Sequence, residues 1–139
     1  MKRLIISFLG VLLFSMNASA QNELSLEVKG VCKNSGIIKV SIFNNERSYK
    51  EKDIYKSFES KTYSDIISIP LTLPDGEYLF SIFQDSNENG VLDTRMLGIP
   101  KERVGFTNYD GKSIPGNFKK HKVLVNENTK RIIVNLYKI

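Results

Sequence analysis

The side chains of this chain that could do chemistry are concentrated in nine residues, DSNENGVLD, at 85–93. Asp85, Asn87, Asn89 and Asp93 set oxygen-bearing groups at the first, third, fifth and ninth positions, Gly90 stands sixth, and Val91 offers a backbone carbonyl at the seventh. In a calcium loop alternate residues turn inward, and the glycine permits the sharp bend that closes them round one cation. Hard oxygen donors without histidine or cysteine suit calcium and disfavour zinc or copper. The ligand set expected is therefore Asp85, Asn87, Asn89, Val91 and Asp93, with Glu102 or Asp110 further along to complete a shell. The match to an EF-hand stops at Met96, which stands where a bidentate glutamate belongs, and no helix signal flanks the loop. With two carboxylates the affinity expected is weak, on the order of 10⁻⁴–10⁻³ M. The same letters also spell a metal-free turn, because Asn-Gly is favoured where two central residues need positive φ and Asx side chains bond their own backbone.

Other reactive groups are sparse. His121 is the only histidine, so any triad or histidine-metal arrangement has to be built on it; among lysines at the start of a strand, it reads as a solvated residue. Cys32, the only cysteine, excludes an intramolecular disulfide and reads as a packed or tolerated thiol. A glycosidase-like pair of Asp85 and Asp93 would need a substrate cleft and two contrasting environments, which a loop rich in Asn and Gly does not suggest. Lys101-Glu102-Arg103, between Pro100 and Gly105, reads as a solvated turn, and Tyr49, Tyr55 and Tyr63 as tyrosines packed over a sandwich edge or as a carbohydrate-facing group. No catalytic residues are assigned, and the chain reads as a non-enzyme.

The elements that must position this loop have a period of two. Leu24, Leu26 and Val28 alternate with polar residues, and Ile38, Val40 and Ile42 share one face while Ile37 and Phe43 take the other, so the second strand reads as the more central. The short Lys33-Asn34-Ser35-Gly36 turn predicts that these two strands form a hairpin. After a polar interval read as a short helix or an excursion, Ile67, Ile69, Leu71 and Leu73 share a face. Pro70, lacking an amide donor, assigns that strand to an edge or a bulge. A Pro-Asp-Gly turn leads to Tyr78, Phe80 and Ile82, opposed by Leu79, Ser81 and Phe83, and the chain closes with HKVLV and RIIVNLYKI. About six or seven short strands without a long helix predict an all-β, antiparallel sandwich. Between them, 86–120 holds Leu92, Met96, Leu97, Ile99, Val104, Phe106 and Phe118 among Gly and Pro, so this long excursion should be ordered and is where function is sought first.

The start of the chain, MKRLIISFLGVLLFSMNASA, has two cations, an apolar run from Leu4 to Met16, and the small-x-small signal Ala18-Ser19-Ala20. It reads as a signal peptide at 1–20, because the run is short for a span of about 20 residues and is closed by a cleavage signal. One domain, 21–139, is then exported to the periplasm or the exterior with no membrane span after processing. Its size suffices for a core without disulfides. The net charge of +5 at pH 7, two units of which belong to Lys2 and Arg3, is interrupted by acids and apolar residues and excludes a nucleic-acid binder.

The run LTLPDGEYLFSIFQDSNENGVLDTRMLGIPKERVGFTN, with Pro115-Gly116-Asn117-Phe118 beyond it, resembles the signature of a bacterial exported family known as domain of unknown function 2141. Its members are similar in a PPGxYA-like turn and strand, a DxNxNGxLD loop, a GIPxExxGFSN segment and a Pro-to-Phe segment before the last strands. Here Pro74-Asp75 replaces the double proline, Thr107 stands where Ser is usual, and Lys119-Lys120-His121 replaces a small-residue context. The resemblance implies a prealbumin-like or immunoglobulin-like sandwich in the cell envelope and no established activity. The function expected is a monomeric binding or accessory module for an envelope or extracellular protein or glycan, stabilised by calcium at 85–93. The alternatives are an envelope hydrolase or lipid-handling protein with 86–120 as a pocket wall, and a purely structural accessory domain.

Overall fold

A computed structural model describes residues 19–139, so residues 1–18 of the expected signal peptide lie outside the described residues. Eight strands, β1 (Gln21–Lys29), β2 (Ile37–Phe43), β3 (Lys56–Lys61), β4 (Ile66–Pro74), β5 (Gly76–Asp85), β6 (Val104–Phe106), β7 (Val123–Val125) and β8 (Arg131–Asn135), build two sheets. The smaller has the order β4-β1-β8; the larger runs β3-β2-β5-β6, with β7 paired to β5 beside β6. Pairing is antiparallel except between β1 and β8, which run parallel. Two short helices, α1 (Glu46–Glu51) and α2 (Phe118–His121), complete the fold.

The alternating apolar residues of each strand face the space between the sheets, as a period of two demands. Leu26, Val28, Ile67, Leu73 and Val134 of one sheet meet Ile38, Val40, Ile42, Phe80 and Ile82 of the other, all buried. Each such side chain contributes roughly 1.5–3 kcal/mol by leaving water. β4 is an outer strand paired only with β1, where Pro70 needs no amide donor on its free side.

Two expectations are corrected. β1 and β2 are not a hairpin, because they belong to different sheets and their apolar faces meet across the core. The link between them is held by Gln84, fully buried, whose Oε1 accepts from Cys32 N (2.8 Å) and whose Nε2 donates to Cys32 O (2.7 Å) and Ser35 O (2.6 Å). The polar interval holds a helix, α1, capped by Asn45, and also the strand β3, whose KSFESK sequence has one large apolar residue, Phe58, to pack on the core. An edge strand with one such contact carries almost no alternation signal.

β5 is buried on both faces. Tyr78, Phe80 and Ile82 point into the sandwich, whereas Leu79 joins Phe43 and Phe118 in a second apolar cluster backed by Tyr49 and Phe106. This cluster fastens α1, α2 and the long excursion to the outer face of the larger sheet as a partial third layer.

Candidate functional site

The loop at 85–93 starts where β5 ends, and its first residue is fixed from below. Asp85 pairs with Ile37 of β2, and the neighbouring Gly36, at φ +66°, lies so close that a Cβ there would sit 1.9 Å from the Asp85 carbonyl oxygen. Only glycine fits both the left-handed backbone and the contact. Asp85 is fully buried under the loop, with Oδ1 accepting from Asn89 N (3.2 Å) and Oδ2 from Gly90 N (2.8 Å). The loop is thus wrapped round the Asp85 carboxylate.

Above it, Asn87, Asn89 and Asp93 converge. Asn87 Nδ2 donates to Asp93 Oδ2 at 2.8 Å, and Asn89 Nδ2 donates to both Asp93 oxygens at 3.1 and 3.0 Å. The side-chain oxygens of Asn87 and Asn89 accept from the amides of Asn89 (3.3 Å) and Val91 (3.1 Å), two successive Asx turns. Val91 is largely exposed, and its amide joins the loop by donating to Asn89 Oδ1. The predicted Asn-Gly hairpin turn is not formed: positive φ falls at Glu88 (56°) and Gly90 (83°), not at Asn89, because the Asp85 carboxylate replaces a partner strand as organiser of the bend.

Of the two residues proposed to complete a shell, the structure brings one. Glu102, expected in a solvated turn, is buried; its Oε1 accepts from Ser86 N (2.9 Å) and its Oε2 from Asp93 N (3.2 Å), tying both ends of the loop to one carboxylate. Asp110 lies elsewhere, accepting from Lys112 N at 3.0 Å. Among the described residues no three Asp, Glu, His or Cys side chains come together as a ligand set. A cation at Asp93 would have to displace the Asn87 and Asn89 amide nitrogens that now donate to it.

Beyond the loop the chain makes a tight outward bend. Thr94 and Pro100 form a bridge, Arg95 N donates to Ile99 O (2.7 Å), Gly98 N to Arg95 O (3.2 Å), and Lys101 N to Asp93 O (2.8 Å). Met96 and Leu97 project from it at 89% and 93% exposure. Beside it a groove of about 420 Å³ is lined by Tyr49, Leu92, Ile99, Pro100, Phe106 and Ile114 among others. Burial holds the hydroxyls of Tyr49 and Tyr109 above the ordinary tyrosine pKa, so both stay neutral donors, to Gly116 O and Ser113 O.

Sequence reasoning misplaced His121. His121 is fully buried, with Nε2 accepting from Gly116 N (2.8 Å) and Nδ1 facing the carbonyls of Thr107 (3.1 Å) and Asn108 (3.2 Å), so its ring is the neutral tautomer with the proton on Nδ1. Thr107 Oγ1 donates to its carbonyl. The Pro-to-Phe segment is the signal that could have found this, since it must turn tightly to deliver Phe118 to the second cluster. Of the two readings of Cys32, packed or tolerated, its exposure leaves the second. The three tyrosines do not form one face: Tyr49 packs edge-on to Phe43, Tyr55 lies against Tyr78, and Tyr63 stands in solvent.

Over residues 26–133 the chain matches a family model described as "Uncharacterized protein conserved in bacteria (DUF2141)". No curated protein and no solved structure matches it.

Proposed function

Because the chain belongs to the DUF2141 family of uncharacterised bacterial proteins, which assigns no activity, we propose from the site alone that it is an exported, non-enzymatic binding module of the cell envelope. Its sandwich is the carrier and the ordered excursion at 86–120 is the recognition platform. One observation carries this reading: the excursion is bonded to the sandwich through Asp85 at the end of β5 and closed on itself through Glu102, yet it turns Met96, Leu97 and Ile114 outward to solvent. A segment built only to cover the core would turn those side chains inward.

Two further features support it. The space between the sheets is filled by side chains with almost no exposure, leaving the outer surface for ligands. The only histidine has both ring nitrogens engaged by backbone groups, so it is not available as a general base. The reading includes weak calcium binding at Asp85, Asn87, Asn89, Val91 and Asp93, with Glu102 beneath, stiffening the base of the platform. Export rests on the sequence at 1–20.

The lipid-handling alternative has one observation in its favour, the apolar groove walled by Leu92, Ile99, Pro100 and Ile114 of the excursion. Capture from an envelope extract, with calcium and with EDTA, tests the module reading. Retention of the same envelope component by the intact chain, and its loss when Met96 and Leu97 are both changed to Asp, is expected. Turnover of envelope lipids or glycans by the purified chain would refute it.

A further inference from the structure

The outward bend at 94–100 has the composition of a tip made to enter the edge of a bilayer. Met96 and Leu97 are adjacent, aliphatic and about nine-tenths exposed. Leu97 is held at φ 64°, ψ 19°, a left-handed conformation that L residues with a branched side chain avoid and that Gly or Asn would accept without strain. The bridge between Thr94 and Pro100 and the bonds at Arg95, Gly98 and Lys101 close the bend beneath them. The bend therefore presents two apolar side chains where solvent exposure alone would favour polar ones.

The exposed charged residues that flank the tip are cationic. Arg95 and Lys101 flank it and are exposed, Arg103 follows at intermediate exposure, and Lys52 lines the groove beside it; among the described residues none of the four is in an ion pair. The nearby acids are engaged: Glu102 is buried under two backbone amides, and the half-buried Asp93 accepts from the Asn87 and Asn89 side chains. Ile114, also exposed, and Leu92 continue the apolar surface along the groove. An apolar tip with a cationic collar is complementary to anionic headgroups over an acyl boundary, into which such elements sink by about 5–10 Å. A second copy fits less well. Two like-charged collars would repel, and a protruding tip falls short of the roughly 800 Å² per partner that a stable dimer buries.

We infer that Met96 and Leu97, collared by Arg95 and Lys101, dock this protein peripherally on an anionic lipid bilayer surface. This rests on the module reading and names the partner surface of the same excursion.

The test is co-sedimentation with phosphatidylcholine vesicles, with and without phosphatidylglycerol, using a chain that begins at Gln21 and so retains all eight strands. Binding to the phosphatidylglycerol vesicles is expected, weakening with added salt. Met96→Asp with Leu97→Asp should lower it by at least about tenfold, and Arg95→Glu with Lys101→Glu should lower it and flatten its salt dependence. Neither pair should lower the melting temperature, since these side chains are exposed and Asp tolerates the left-handed backbone at position 97 better than Leu. Absence of binding to anionic vesicles, or binding indifferent to the Asp pair, overturns the inference. Self-association abolished by the Asp pair without vesicle binding also overturns it, in favour of a dimer surface. Tip-dependent capture of an envelope protein without vesicle binding overturns it while leaving the module reading standing.

Discussion

Asp85 shows how a single carboxylate can organise a loop. It is fully buried and accepts from two backbone amides that have no strand to pair with. Asp85→Ala leaves both amides without that acceptor, and the expected loss is about 2–3 kcal/mol in urea unfolding; Asp85→Asn, keeping one oxygen, should lose about half of that. Gly36→Ala is expected to be at least as damaging although nothing polar changes, because its Cβ would collide with the Asp85 carbonyl from a left-handed backbone. Cys32→Ser, at an exposed thiol, should stay within about 0.5 kcal/mol of the parent by the same measurement. Contrasting sites of this kind are hard to read from sequence. Asp85 announced itself through the spacing of its neighbours, whereas the burial of Glu102 and His121 depends on how distant segments fold back, and their flanking lysines and arginine suggested solvent.

At the scale of elements, strands with a strict period of two were legible, and Pro70 correctly marked an edge. β3 was not, since one apolar residue in six gives no periodicity, and the β1–β2 link was misread because a short turn can change sheets as readily as reverse within one. The loop at 85–93 was found by its letters, but its backbone differs from a two-residue turn because Asp85 supplies the acceptors. This element carries the calcium prediction. If the ion binds the folded loop alone, stability rises as RT ln(1 + [Ca²⁺]/Kd). With a Kd of about 10⁻⁴ M, about 10 mM calcium adds about 2.7 kcal/mol, several degrees in melting temperature for a domain of this size. Asp93→Ala should abolish that rise at smaller structural cost than Asp85→Ala, and magnesium should substitute poorly, since it demands a tighter octahedral shell. Melting curves that coincide in calcium and in EDTA would remove the ion from the account and leave Asp85 and Glu102 to hold the loop alone.

The whole molecule is a filled sandwich that carries an ordered excursion on the outer face of its larger sheet. Export would place that excursion in the envelope, and the intact mass of protein recovered from the periplasmic fraction should correspond to a chain starting at Gln21; a retained N-terminus would contradict the proposed compartment. The central claim, that the excursion is the contact surface, is tested most directly by placing a photo-reactive residue at Leu97 or, as a control, at Ile133 on the outer face of the opposite sheet, and irradiating the protein in its native envelope. Adducts to envelope components from position 97 and not from 133 are the result predicted, whether the component captured is lipid or protein. Equal labelling from both positions, or none from position 97, would contradict the account.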